Sequence, residues 1–199
     1  MNFDGAAHGH LRHVCVGRAQ TLAVGGRNLR SAIGKRPVTG AVAVAALGLA
    51  GDEQVELSVH GGLAKAVYAY PVEHAAFWQA ERLARGVSLF DEALPPGFVG
   101  ENLAIEGLLE RDVWVGDTLH FADCVLRVTA PREPCGKFAA VMGFAQAGRL
   151  MVQGARCGFY LAVEQPGALQ AGADFALRAG PRALSITEAI HAKWARHRH

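Results

Sequence analysis

The chain has 199 residues, 51% of them hydrophobic, with 20 basic and 18 acidic side chains and a formal charge of +2. That apolar share suits one domain of ordinary size with a core of its own. The near balance of charge excludes nucleic-acid binding through bulk basicity. Four scattered cysteines, Cys15, Cys124, Cys135 and Cys157, form no CxxC pair, so neither a zinc ribbon nor an iron–sulfur cluster is signalled.

The opening stretch MNFDGAAHGHLRH lacks the charged-then-apolar order of a secretory signal. The longest weakly polar run, GAVAVAALGLAG at 40–51, has 12 residues, against about 20 needed for a membrane helix. A cytoplasmic protein with no membrane partner is expected. Short β-favouring runs then dominate: HVCVG (13–17), AVAVAAL (41–47), KAVYAY (65–70), VWVGDTLHF (113–121), CVLRVTA (124–130), GFYLAVEQ (158–165) and ADFALR (173–178). VWVGDTLHFADCVLRV reads as two or three consecutive antiparallel strands, with turns at Gly116-Asp117 and Ala122-Asp123. Spacing this regular predicts a mostly β (α+β) barrel-like fold.

Helices are fewer. The segment 70–86 has Pro71 near its start, Gly86 at its end, and Val72, Ala76, Phe77, Trp78 and Leu83 at helical spacing. On it, His74 reads as solvent-facing. The segment 185–199 has a cap at Ser185 or Thr187, Glu188 just inside, and Ile186, Ile190 and Trp194 four apart. Its terminal HRH reads as a solvated helix end. Cys15, Cys124, Cys157, Trp78 and Trp194 are expected to pack in the interior.

The common nucleotide, nicotinamide and serine-hydrolase motifs are absent, as is HExxH. Three segments stand out instead. In GLAGDEQVELSVHGG (48–62), His60 precedes Gly61 and Gly62, whose permissive backbones allow successive N–H groups to face an anion or simply a tight turn. In GFVGENL (97–103), Glu101 and Asn102 offer an acceptor and an amide to a heterocycle edge, or cap a turn. In APREPCGKF (130–138), Cys135 sits in a Pro-Cys-Gly turn beside Arg132 and Lys137, which favour a thiolate. Upstream, Lys35 and Arg36 stand where a phosphate could meet them.

Taken in order, GKRPV, GLAGDEQ, VHGG with KAVYAYP, FVGENL, VWVGD, APREPCGK and GARCGFY resemble the MOSC domain family, the molybdenum-cofactor sulfurase C-terminal domains. The resemblance covers residues 12–180 and is nearest to the small stand-alone bacterial branch. It implies a β-barrel-like domain with peripheral helices, followed by a helix at 181–199 where longer members of the branch carry a further helical segment. It also implies binding of the molybdenum cofactor in its molybdopterin form, with Cys135 as metal ligand and catalytic residue. Lys35, His60, Gly61, Gly62, Glu101, Asn102, Arg132 and Arg156 fall on cofactor-binding positions; pyridoxal phosphate is not expected. Relatives reduce N-hydroxylated compounds, such as hydroxylaminopurines, hydroxylamines and amidoximes, to amines. Without a flavin or iron–sulfur motif, electrons would come from a separate donor protein. A sulfur-carrier or cofactor-handling module would use the same cysteine, and a barrel that had lost its cofactor would have no need to keep Cys135, Lys35 and HGG together.

Overall fold

The computed structural model describes residues 7–55 and 61–196. In chain order, strand β1 (Ala7–Val16) is followed by β2 (Gln20–Val24), β3 (Arg27–Ser31), β4 (Arg36–Pro37), β5 (Val42–Ala45) and β6 (Gly48–Leu49). Strand β7 (Val67–Pro71) leads into helix α1 (Ala75–Ala84), then β8 (Leu103–Glu106), β9 (Thr118–His120) and β10 (Val125–Pro131). Helices α2 (Gly136–Met142) and α3 (Ala147–Gln153) precede β11 (Phe159–Gln165), β12 (Gly167–Leu169) and β13 (Asp174–Arg178), and α4 (Ile186–Arg196) closes the described chain.

Seven strands close on themselves in the order β1-β13-β9-β10-β11-β7-β8 and back to β1, with β4 extending the far end of β1. All neighbours are antiparallel except β7 and β8, whose parallel pairing is allowed by the crossover through α1. Alternation decides which side chains face inward. In β10, Leu126 and Val128 are buried while Arg127 is exposed. In β1 the alternation shifts between Leu11 and Val14, because a bulge falls between Leu11 and His13 in the pairing with β8. Full closure leaves the barrel no open edge.

Outside the barrel, α1 contributes Trp78 and α2 contributes Phe138, their rings edge to face at 5.4 Å, with Met142 and Met151 buried in the same core. Helix α4 starts on a reciprocal capping box: Ser185 Oγ accepts from Glu188 N–H at 3.2 Å, and Glu188 Oε2 accepts from Ser185 N–H at 2.8 Å. Ser185 is thus the cap, and the terminal HRH lies outside the described residues.

The expected strands at 13–17, 41–47, 65–70, 124–130, 158–165 and 173–178 are present, with shifted ends. Besides β8, a barrel strand outside the expected runs, four features differ from expectation. Residues 113–116 form a turn with a single bridge, Trp114 to Ser185, and only 118–120 of that run is strand. His74 is buried, its Nε2 at 2.8 Å from Glu110 Oε2, because the chain enters α1 through a tight turn that rotates it inward. Cys135 stands not in an isolated turn but at the start of α2, and α2 and α3 fill a stretch to which the sequence pattern assigns no element. Finally, β2 and β3 form a two-stranded hairpin turning on Gly25-Gly26, both at positive φ.

Candidate functional site

At one end of the barrel, the loops 31–35, 52–55 and 99–102 converge with β7, β10, β11 and the start of α2 around a cleft. Cys135 opens onto it. Its backbone is extended (φ −139°, ψ 166°), and its carbonyl accepts from Phe138 and Ala139 N–H groups, so the residue starts α2 through its main chain alone. The thiol makes no cap bond, and the residue lines the cleft.

Arg132 reaches the sulfur from behind, with Nη2 3.9 Å from Sγ. Its guanidinium lies over the rings of Tyr68 and Phe138, at 5.3 and 5.0 Å from their centroids. Only 4% of the residue is exposed, and its Nη1 is buried without a hydrogen-bond partner of acceptable geometry among the described residues. Burial works against its charge, but the facing Tyr68, Cys135 and Tyr160 outweigh that and hold its pKa up. A permanent cation at this place favours negative charge on the sulfur. The other three cysteines are fully buried, and burial pushes Cys15 to about 12 and Cys124 to about 11, and raises Cys157 well above its ordinary value.

The opposite wall is organised by the run Asp52-Glu53-Gln54. Asp52 ion-pairs with Lys35, accepts Gly17 N–H at 2.9 Å and accepts Asn102 Nδ2 at 2.9 Å. Asn102 in turn holds the barrel mouth, donating to Cys15 O at 3.2 Å and accepting Tyr68 N–H at 3.1 Å. Glu53 accepts Ala19 N–H. Gln54 donates to Leu47 and Ala66 carbonyls and accepts Gly62 N–H at 3.0 Å. These three side chains tie five other segments together, at 17–19, 35, 47, 62–66 and 102. Burial lowers the Lys35 pKa, partly offset by Asp52.

The structure thus brings together Lys35, Gly61, Asn102, Arg132 and Cys135 of the sequence-derived set, and adds Asp52, Lys65, Tyr68, Lys137 and Tyr160. His60 lies outside the described residues. Gly61 and Gly62 both have positive φ, but Gly62 spends its N–H on Gln54, and any side chain at Gly61 would overlap Gln54. Three expected residues do not line the cleft: Gly62, Glu101 and Arg156. Glu101 faces the other side of the 97–102 segment, accepting Gly97 and Val99 N–H groups at 2.6 and 3.1 Å, the turn-capping alternative. Burial raises its pKa to about 7. Arg156 stacks over Phe77 at 3.7 Å, and its carbonyl accepts from Tyr70. The signal for Asp52 was present in GDEQ, an acid two residues from an amide beside a basic loop.

No cluster of three or more His, Cys, Asp or Glu able to hold a metal ion occurs among the described residues. A metal held here by protein would have one ligand, Cys135, so the remainder must come with the metal. The cleft suits an anionic carrier: Lys35, Lys65, Arg132 and Lys137 line it against Asp52 and Glu53, and the buried Nη1 of Arg132 wants an acceptor. The residues present therefore fit an organic, negatively charged metal cofactor.

A closed barrel presenting one thiol over a basic cleft is the class of site that the fold defines. The comparisons with known proteins say which kind. The family model of the MOSC domain matches residues 56–176. YflK of Bacillus subtilis (strain 168) is 36% identical over 172 residues, 86% of this chain and 74% of that protein. A Gibberella moniliformis (strain M3125 / FGSC 7600) protein named reductase is 32% identical over 188 residues, 94% of this chain but 31% of the longer protein. The crystal structure of YiiM from Geobacillus stearothermophilus superposes with a TM-score of 0.74 at 28% identity, covering 96% of this chain and 86% of that one. The chain belongs to the MOSC domain family.

Proposed function

We propose that this protein binds the molybdenum cofactor in its molybdopterin form and reduces N-hydroxylated compounds to amines, with electrons delivered by a separate donor protein. The observation that carries the reading is the Cys135 thiol set against the buried, half-unpartnered guanidinium of Arg132 in a basic cleft. Family membership and the relative named reductase support it. When bound, the cofactor supplies the two-electron redox centre, while the protein positions it.

The chain's own residues divide the remaining tasks. Cys135 holds the metal as a thiolate. Arg132 keeps that sulfur charged and offers Nη1 to an oxygen of the cofactor or substrate. Lys65 and Lys137 meet the anionic periphery, and Lys35, steadied by Asp52 and Asn102, meets the phosphate end. The overall change, R–NHOH + 2 e⁻ + 2 H⁺ → R–NH₂ + H₂O, breaks one N–O bond and needs two protons and two electrons from outside the chain.

The test is molybdenum content by elemental mass spectrometry, on wild type and Cys135→Ser from a host that makes the cofactor, followed by reduction of hydroxylaminopurine with an artificial donor. Near-stoichiometric metal in wild type, little in the variant, and turnover by wild type alone are expected. Equal metal in both would overturn the ligand assignment. Metal without turnover would favour a cofactor-handling role.

A further inference from the structure

Behind the wall formed by residues 97–102 lies a second cavity of about 340 Å³, bounded by β7, the start of α1, β8 and the 94–101 segment. Its volume falls in the range of small-molecule sites. The lining is apolar and aromatic, with Tyr70, Trp78, Leu94, Pro96 and Phe98 prominent. Its hydroxyl and indole are already satisfied: Trp78 Nε1 donates to Tyr70 Oη at 2.6 Å, and Tyr70 donates to the Arg156 carbonyl.

One group in this lining is unbalanced. Glu101 is 5% exposed and accepts two backbone N–H groups, yet it makes no ion pair among the described residues. The other carboxylate of the cavity, Glu106, is paired with Arg12 at 3.5 Å. Arg132 and Lys35, which act on Glu101 through their charge, line the cleft and not this cavity. A buried carboxylate facing an apolar cavity calls for a cation that also brings apolar surface. Aromatic faces beside it favour the same charge.

We infer that this cavity is a second ligand site, for a small arylalkyl amine bound as its cation, with Glu101 as counter-ion and the Tyr70–Trp78 wall as apolar platform. The site stands independently of the cofactor reading. It adjoins the cleft without merging with it, since Val99 lines both and Asn102, next to Glu101, faces the cleft. The cavity is held open from outside: Arg82 lies over Phe98 and donates to the Val141 and Met142 carbonyls, while Gly97 packs directly against the Lys35 carbonyl.

The test is calorimetric titration of the full chain at pH 8, above the Glu101 pKa of about 7, with benzylamine, benzyl alcohol and benzoate as probes. Benzylamine is expected to bind at least tenfold more tightly than benzyl alcohol, and benzoate not at all. Ala75→Leu, which fills the cavity from α1, should abolish binding of both. Glu101→Gln should erase the difference between amine and alcohol. Equal affinity for amine and alcohol in wild type, no binding of either, or binding that survives Ala75→Leu would overturn the proposal, whether or not Glu101→Gln folds.

Discussion

Arg132 shows how a single residue sets the chemistry of its neighbour. Burying a guanidinium is costly unless its charge and its N–H groups are met. Here two rings take its faces and the Cys135 sulfur takes one edge, while Nη1 is left over. Replacing it by methionine conserves length and apolar packing, so the fold should survive. The sulfur, however, loses its cation. We expect iodoacetamide to alkylate one thiol in the native protein, Cys135, because the other three are fully buried. In Arg132→Met the rate should fall by about tenfold, the effect of roughly 1.4 kcal/mol of lost thiolate stabilisation. An unchanged rate at unchanged melting temperature would show that Arg132 does not govern the sulfur. At this scale the sequence was informative where a residue type had one evident use. Cys135 between proline and glycine, with cations on either side, pointed to the cleft. Glu101 and Asn102 could not be separated, since the two are neighbours of similar character and only the path of the 97–102 segment sends them to opposite sides.

Among the elements, the β2–β3 hairpin has the least to do with the barrel and the most to do with the cleft. Its residues are mostly exposed, its strands pair only with each other, and β2 rests on α2, with Val24 facing Gly136 next to Cys135. Little apolar area is lost with it, so replacing 20–30 by a short Gly-Ser link should move the melting temperature by no more than about 4 °C. The same change uncovers the start of α2 and should speed alkylation of Cys135. A large drop in melting temperature would instead show the hairpin to be part of the barrel's support. The hairpin was legible in principle: Gly25-Gly26 between QTLAV and RNLRS is a two-residue turn signal. Helix α2 was harder, because Pro131 and Pro134 break the pattern just before it, Gly136 is its first residue, and its seven residues hold only two buried positions, Phe138 and Met142. In α1, ten residues carry the helical spacing clearly, yet His74 was misplaced because the tight turn before the helix, at 72–74, changes the phase.

For the molecule as a whole, regular strand spacing pointed to a barrel, but local patterns could not reveal how it closes. Strand alternation marks the staves of a barrel but not which stave meets which, and here β1 meets β13 from the other end of the chain, Ala7 opposite Leu177. The seam has an identifiable tight point. At Gly9, opposite Phe175 and one residue before His10, where β1 pairs with both β13 and β8, a Cβ would run into the Phe175 ring and lie 3.0 Å from the Glu106 carbonyl. The ring has little room to retreat, being 2% exposed and 4.9 Å from Phe121. Gly9→Ala should therefore cost about 1–3 kcal/mol by overpacking, roughly 5 °C in melting temperature for a chain of this size. The backbone at Gly9 is not in the left-handed region, so the whole effect is steric and should be relieved from the other side. Phe175→Leu alone removes buried surface and destabilises, but in the Gly9→Ala background it opens space where the methyl needs it. The double variant should be more stable than the sum of the two losses by at least about 0.5 kcal/mol, measured by urea unfolding. Strict additivity would mean that the seam yields elsewhere, through the Glu106 carbonyl and the β1–β8 pairing, and that Phe175 does not set how closely the first and last strands approach.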